Sequence, residues 1–349
     1  MKTRTIFMWA LILPLSLALL ISGCKDDDEC PTVDYTALDA AIVQAQATHD
    51  AGVEGTEIGQ YQTGAKAGLQ TAINLAQGVR DTDCVEQTEL NAAKTNLDAA
   101  VAAFEALKIT DVSPANLVAH WLFNGDANDA TANGNDGTPT AGHVFFGEGA
   151  APALTADRFD NAGYCYHFDM GSNIEVPYST ALNPPELTIS LWIRMEEQAN
   201  NDYIIALNRW NGWKLNLQDL NFLFFTIKAT NEGSDAWYDR DSNPAAITAD
   251  TWTHVAVSFT DGFMNFYVNG ELVKAWDNTP GTGVAVDNIN LSIGSDLPTG
   301  TYSTEEGDFY VNWGGYFKGD IDDIRFYNIA LTGPQIASIY AFEVDNVVE

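Results

Sequence analysis

The apolar residues of this chain repeat at two different periods, and the change falls near Leu117. Upstream they recur at helical spacing. Leu38, Ala41, Ile42 and Ala45 form one stripe, Ala65, Leu69, Ala72, Ile73 and Ala76 a second, and Leu90, Ala93, Leu97, Ala100, Val101 and Phe104 a third. Downstream, β-branched and aromatic residues alternate with polar ones in short runs at 117–123, 166–168, 187–193, 222–227, 253–259, 264–268, 290–293 and 321–327, separated by Gly, Asn and Asp. One layer cannot satisfy both periods, so the chain divides into a small all-α three-helix bundle and an all-β sandwich of two sheets. Glycines within 52–59 part the first two stripes, and Asp81-Thr82-Asp83 supplies cap-like residues before the third. The resulting boundaries are a helical domain at 34–107, a linker at 108–116 containing Pro114, a sandwich at 117–342 and a tail at 343–349.

Residues 1–23 read as a lipoprotein signal peptide. Lys2 and Arg4 make a basic start, and an apolar run over 6–21 ends in Ser22-Gly23 before Cys24, the expected lipidation site. The alternative, a membrane-spanning anchor, needs about 20 apolar residues; this run is shorter and Pro14 interrupts it. An acidic tether at 24–33 follows. Within it Lys25-Asp26-Asp27-Asp28-Glu29 resembles the acidic export signal of Bacteroidetes surface lipoproteins, which implies lipid anchoring at the outer face of the outer membrane. Read without that resemblance, the run is a solvated acidic spacer.

Charge narrows the partners. Asp and Glu number 48 against 16 Lys and Arg, for a net charge of −32, and loss of Lys2 and Arg4 with the leader makes the chain more acidic still. Nucleic acid is excluded as a natural partner, because its binding rests on cationic neutralisation of phosphate. The same field disfavours strongly anionic polysaccharides and makes a neutral glycan the easier ligand. Of the four cysteines, Cys24 is assigned to lipid. In an oxidising compartment Cys30 and Cys84 can form a disulfide bracketing the helices, while Cys165 reads as a buried thiol.

The helical segment resembles the FIVAR family of three-helix repeats of bacterial surface proteins, through Leu38-Asp39-Ala40-Ala41-Ile42 and Leu97-Asp98-Ala99-Ala100-Val101. That likeness implies a spacer. The sandwich resembles the concanavalin A-like jelly rolls of the LamG-like branch. The likeness rests on Val118-Ala119-His120-Trp121-Leu122-Phe123, Leu187-Thr188-Ile189-Ser190-Leu191-Trp192-Ile193, Trp252-Thr253-His254-Val255-Ala256-Val257, Tyr267-Val268-Asn269-Gly270-Glu271, Leu291-Ser292-Ile293-Gly294 and the closing Gly319-Asp320-Ile321-Asp322-Asp323-Ile324-Arg325-Phe326-Tyr327.

Three kinds of site follow. A loop dense in oxygen ligands, Asn124-Gly125-Asp126-Ala127-Asn128-Asp129 with Asn133-Gly134-Asn135-Asp136-Gly137, suits a structural Ca2+. Family resemblance adds an aspartate of the last strand, so the expected ligands are Asp126, Asp129 and Asp322; the same residues also make Asx-rich turns without metal. Glycosidases of this fold place two carboxylates in an ExDxxE strand pattern. Here Glu343-Val344-Asp345 with Glu349 is one residue too long and lies beyond the last expected strand, so a non-catalytic protein is favoured over a hydrolase or lyase. His120 and His254 lie within strand runs and are expected to be hydrogen-bonded sandwich residues. Sugars stack their C–H faces on aromatic rings beside polar groups. Three segments offer this: Asn208-Arg209-Trp210-Asn211-Gly212-Trp213, Ser234-Asp235-Ala236-Trp237-Tyr238-Asp239-Arg240, and Tyr310-Val311-Asn312-Trp313-Gly314-Gly315-Tyr316, all expected as loops. The candidate ligand-binding residues are Trp210, Trp213, Trp237, Tyr238, Asp239, Arg240 and Trp313. The expected function is capture of an extracellular polysaccharide by a surface lipoprotein, raising its local concentration for a neighbouring glycan uptake system. An adhesin binding protein or cells is the alternative.

Overall fold

The computed structural model describes residues 30–348, apart from 56–57, 110–111, 113, 198–200, 245–246, 285, 287 and 312–313. Cys24 and its acidic run, and Trp313, lie outside the described residues.

Three helices open the described chain: α1 (Thr36–Ala51), α2 (Ala65–Arg80) and α3 (Gln87–Glu105). Their mutual core is the set of stripes read from the sequence, with Leu38, Ala45, Leu69, Ile73, Leu90, Leu97 and Phe104 buried. The cap of α3 is Glu86 rather than the earlier Asp and Thr residues: its backbone N–H donates to Glu89 Oε2 at 3.0 Å, closing a capping box. Tyr61, from the connection after α1, stacks on Phe104 with centroids 4.0 Å apart and donates its hydroxyl to Glu105. Cys30 and Cys84 form a disulfide across 54 residues, tying the entry of α1 to the α2–α3 turn. Closing a loop of that length in the unfolded chain is worth about 4 kcal/mol. Reduction should therefore lower the melting temperature of the helical domain and leave that of the sandwich unchanged, as differential scanning calorimetry with and without reductant would record.

Sixteen strands follow among the described residues: β1 (Leu117–Trp121), β2 (Thr138–Thr140), β3 (Ala153–Ala156), β4 (Ala162–Phe168), β5 (Asn173–Val176), β6 (Leu187–Met195), β7 (Asp202–Leu207), β8 (Trp213–Gln218), β9 (Phe222–Asn231), β10 (Ser234–Asp241), β11 (Thr253–Thr260), β12 (Gly262–Val268), β13 (Glu271–Thr279), β14 (Thr282–Gly283), β15 (Leu291–Ile293) and β16 (Gly319–Tyr327). They make two eight-stranded antiparallel sheets. Sheet one runs β13-β12-β11-β6-β16-β4-β3 with β1 beside β16; sheet two runs β10-β9-β8-β7-β15-β5-β2 with β14 beside β9. Alternate residues from each, such as Leu191, Val257 and Phe326 against Leu215, Phe225 and Ile227, fill the space between. Trp213 bridges the two sheets, its ring 5.4 Å from that of Phe326.

One segment differs from the sequence expectation, and a fourth helix follows the last strand. Residues 234–241, expected as a loop, are strand β10 at the edge of sheet two, where both faces meet water in part and tolerate polar residues. Residues 333–343 form helix α4 (Gly333–Glu343), started by Thr332, whose backbone N–H donates to Gln335 Oε1 at 2.9 Å, and by Pro334 in its first turn. Helix α4 packs Ile336 and Ile339 on Ala256, Tyr267 and Tyr327, covering the outer face of sheet one. Val112 of the linker packs on the same cluster, and Ser338 Oγ donates to Lys108 O at 3.3 Å. Among the described residues, no helix covers the outer face of sheet two.

Candidate binding pocket on the outer face of sheet two

The alternation of β8 creates the site. Trp213, Leu215 and Leu217 point into the core, so Lys214, Asn216 and Gln218 point outward. Strand registry then assembles a face: Lys214 lies opposite Thr226, Thr226 opposite Asp239, Asn216 opposite Phe224 on one side and Tyr203 on the other. A short turn at Arg209–Asn211 brings Trp210 over this face. Together Asn201, Tyr203, Trp210, Lys214, Gln218, Asp219, Phe224 and Asp239 line a cavity of ≈ 490 Å³.

The turn is held by charge and by strain. Asn208 and Arg209 both take positive φ, 58° and 51°, a conformation costing about 1–3 kcal/mol per strained residue. Arg209 is wholly buried, pairs through Nε with Asp296 and donates Nη1 to Phe309 O at 2.7 Å; Tyr302 donates its hydroxyl to the other oxygen of Asp296. Burial pushes the Asp296 carboxyl up, with the Arg209 charge and the Tyr302 hydroxyl opposing. A side chain at Gly212 would collide with Leu207 O, so the exit of the turn needs glycine. The Trp237 indole N–H, on the half-exposed ring of that residue, donates to Trp210 O at 2.7 Å and fixes the turn from the side of β10.

At the floor, Lys214 is 1 % exposed and its Nζ lies 5.1 Å from the Tyr203 ring centroid, 5.2 Å from Trp210 and 4.8 Å from Phe224. It donates to Asn216 Oδ1 at 3.0 Å, and Asn216 Nδ2 in turn donates to Asn201 Oδ1 at 3.1 Å. Burial lowers the Lys214 pKa to about 8, against the pull of Asp239 and Asp296. Since the unfolded lysine titrates near pH 10.4, below pH 8 both states are charged and the fold carries the full penalty. Between about 8 and 10 the unfolded state binds more protons, so stability rises with pH. We expect the wild type to gain about 2 kcal/mol relative to Lys214→Met between pH 7.5 and 10, at ~1.4 kcal/mol per unit between the two pKa values; urea denaturation of both proteins across that range checks it.

Strand parity sorts the aromatic residues expected to bind ligand. Trp210 and Asp239 line the cavity, and Trp237 lies on the same face of β10 as Asp239. Tyr238 and Arg240 point the other way: Tyr238 donates to Pro280 O at 2.6 Å, and Arg240 stacks on Trp276 and donates to Asn278, closing the sandwich edge. Trp213 is a core residue, 0 % exposed, with its Nε1 given to Leu182 O at 3.1 Å. Lys214, Tyr203, Phe224, Asn201, Gln218 and Asp219 were not singled out in the sequence. The polar alternation Lys214, Asn216, Gln218 was the available signal, since it marks an outward face on a strand whose other face is fully apolar.

The expected calcium ligands do not converge. Asp129 accepts from the backbone N–H groups of His120, Thr131 and Asn135 and from the Thr131 hydroxyl; these hold its carboxyl below the usual range although burial works against them. Asp126 accepts from Asn128 N and Nδ2. Asp322 is paired with Arg158 Nη1. The carboxylates are thus engaged by donors from the protein, and among the described residues no group of three His, Cys, Asp or Glu is arranged to hold a metal ion. In this arrangement Asp126 and Asp129 make Asx turns and Asp322 an ion pair.

Asp322 belongs instead to a buried polar cluster behind sheet one. The β16 register shifts between Asp322 and Arg325, and Asp323 takes φ 50°. This bulge lets two successive aspartates reach one guanidinium, Asp323 accepting from Arg158 Nη2 at 3.2 Å and from His120 Nε2 at 2.6 Å. Burial and the adjacent Asp323 raise Asp322. Asp323 is held far below the usual range, against burial, by His120, Arg325 and Arg158. Glu343 ends α4 inside this cluster, accepting from Arg325 Nε at 2.6 Å and Trp192 Nε1 at 2.9 Å. His254 is bonded to Ser190 Oγ at 2.8 Å, and Cys165 is buried with its thiol pushed up by burial.

Residues 168–337 match the family model of the concanavalin A-like lectin/glucanases superfamily, Laminin_G_3. The two-sheet sandwich has the concanavalin A-like fold. Among curated proteins, the chain is 42 % identical over 77 residues to a gellan lyase of a Bacillus species, covering 22 % of this chain and 3 % of that protein. It is 35 % identical over 99 residues to a 125 kDa surface-layer protein of Lysinibacillus sphaericus, covering 28 % and 8 %. The chain thus spans only a small part of the length of these relatives. Among solved structures, it is similar to domain 4 of AbnA, a GH43 extracellular arabinanase of Geobacillus stearothermophilus in complex with arabinotriose, at 25 % identity and TM-score 0.48, over 64 % of this chain and 98 % of that one. It is also similar to a botulinum neurotoxin type C structure, described as entering cells through two ganglioside molecules, at 17 % identity and TM-score 0.44, over 65 % and 51 %. In this chain one face of the sandwich is covered by α4 and the other carries an aromatic-lined pocket.

Proposed function

We propose that this protein captures an extracellular polysaccharide without cleaving it, using the cavity on the outer face of sheet two. The observation that carries this reading is the pairing of part-exposed rings, Trp210 and Phe224, with hydrogen-bonding groups, Asp239, Asn201 and Gln218, in one open cavity of sugar-sized volume. The match to a superfamily described as lectins and glucanases agrees with it. In the proposed setting a lipid on Cys24 anchors the chain at the outer face of the outer membrane, the helical domain acts as a FIVAR-like spacer, and captured glycan passes to a neighbouring uptake system.

Affinity electrophoresis and calorimetry over a broad polysaccharide panel test the binding. Retardation with at least one glycan and no release of reducing ends is the expected result. Silence across the panel would refute it, and release of reducing ends would replace it with a hydrolase. Protease shaving of intact cells tests the address: the sandwich should be lost from live cells if it is displayed outside.

A further inference from the structure

Among the described residues, Lys214 is a buried cation with no carboxylate within ion-pair distance. The comparable side chains are all matched, Arg158 by Asp322 and Asp323, Arg209 by Asp296, and Arg325 by Glu343. Lys214 has one protein acceptor, Asn216 Oδ1, and otherwise faces ring faces, which stabilise a cation without neutralising it. It is also part of the wall of an open cavity of ≈ 490 Å³. A buried ammonium kept without a counterion is costly, and a site that pays this at the floor of a pocket is arranged for a charge that arrives with the ligand.

We infer that this pocket selects a sugar residue bearing one anionic substituent, a uronate carboxylate or a sulfate ester, which pairs with Lys214. The inference rests on the glycan-binding reading and sharpens it against the neutral ligand that the chain-wide charge suggested. The net charge of −32 repels a polyanion at long range, but beyond about 8 Å that repulsion is screened at physiological ionic strength. Within the cavity the nearest fixed charges decide. Those facing Lys214 are Asp239 from β10, which is engaged by the Thr226 hydroxyl at 2.6 Å, Asp219 from the turn after β8, and the Arg209–Asp296 pair behind it. Lys214 is protonated over the neutral range and loses its proton near pH 8 in the free protein.

The test is calorimetry on the full chain with four probes in two pairs: an oligogalacturonate and the same oligomer with its carboxyl groups reduced to alcohols, and a sulfated neutral oligosaccharide and its unsulfated parent. At pH 7 an anionic probe should bind at least tenfold more tightly than its neutral counterpart, and which pair shows the preference identifies the substituent. The preference should fade between pH 8 and 10 as the ammonium is lost. Lys214→Met should remove it and Lys214→Arg retain most of it, with circular dichroism confirming that both fold. Equal affinity within both pairs would overturn the inference while leaving glycan capture intact, as would binding of neutral panel members alone. Silence with every probe and the whole panel would remove both.

Discussion

An alanine at Trp210 is expected to weaken glycan binding at least tenfold and leave the fold intact. Trp210 is one of two part-exposed rings lining the cavity, it forms one wall of the cage over Lys214, and it sits on a turn fixed by Arg209, Asp296 and Trp237. Loss of the indole removes a preformed stacking surface, and tenfold corresponds to only about 1.4 kcal/mol, well within what a large aromatic contributes. Two neighbours serve as internal standards. Trp237→Ala should give a smaller loss, because that ring stands beside the cavity and acts by holding Trp210 O. Trp213→Ala should leave the site chemistry alone and instead destabilise the sandwich by about 3–5 kcal/mol, as expected for an excavated core aromatic. Calorimetry with the panel's best ligand, paired with denaturation curves, separates these outcomes; unchanged affinity in folded Trp210→Ala would move the binding site elsewhere.

A comparably large effect on stability, this time through charge, is expected at Arg158. Its guanidinium faces Asp322 and Asp323, donates to Glu343 O at 3.2 Å and lies over the Trp192 ring at 4.8 Å. Arg158→Leu leaves two buried carboxylates short of a cation and unties the end of α4, and breaking a buried pair this way costs about 3–5 kcal/mol. For a domain of this size that is a fall in melting temperature of roughly 10 °C. Adding Asp322→Asn should restore part of the loss, since a neutral amide in that place needs no counterion. A double variant no more stable than Arg158→Leu would show that the arginine acts through packing on Trp192 and not through charge.

The division into helices and sandwich was legible because periodicity is a local property: the helical stripes of Leu38, Leu69 and Leu97 and the alternating strands at 187–193 and 253–259 each carry their own evidence. The site was legible in part. Trp210 and Asp239 stand out as aromatic and polar candidates, but β10 reads as a loop because an edge strand keeps polar residues on both faces. Lys214 reads as a solvated lysine until Tyr203, Trp210 and Phe224 are brought around it by strand registry. The pairing of Asp322 was hidden for the same reason. Asp322 looked like a free ligand because its partner Arg158 lies 164 residues away, and no local pattern reports such a pairing.

The seating of α4 and the linker against sheet one has a practical consequence for how the molecule meets a polymer. The chain enters the sandwich at β1 and leaves it through α4 on the same side, with Val112 and Ile336 in one apolar cluster. Coupling the protein to a bead or sensor through its helical domain therefore presents sheet two to the liquid. Under the proposed function, a long glycan is then gripped at an internal sugar, side-on, with no need for a free end to thread into the pocket.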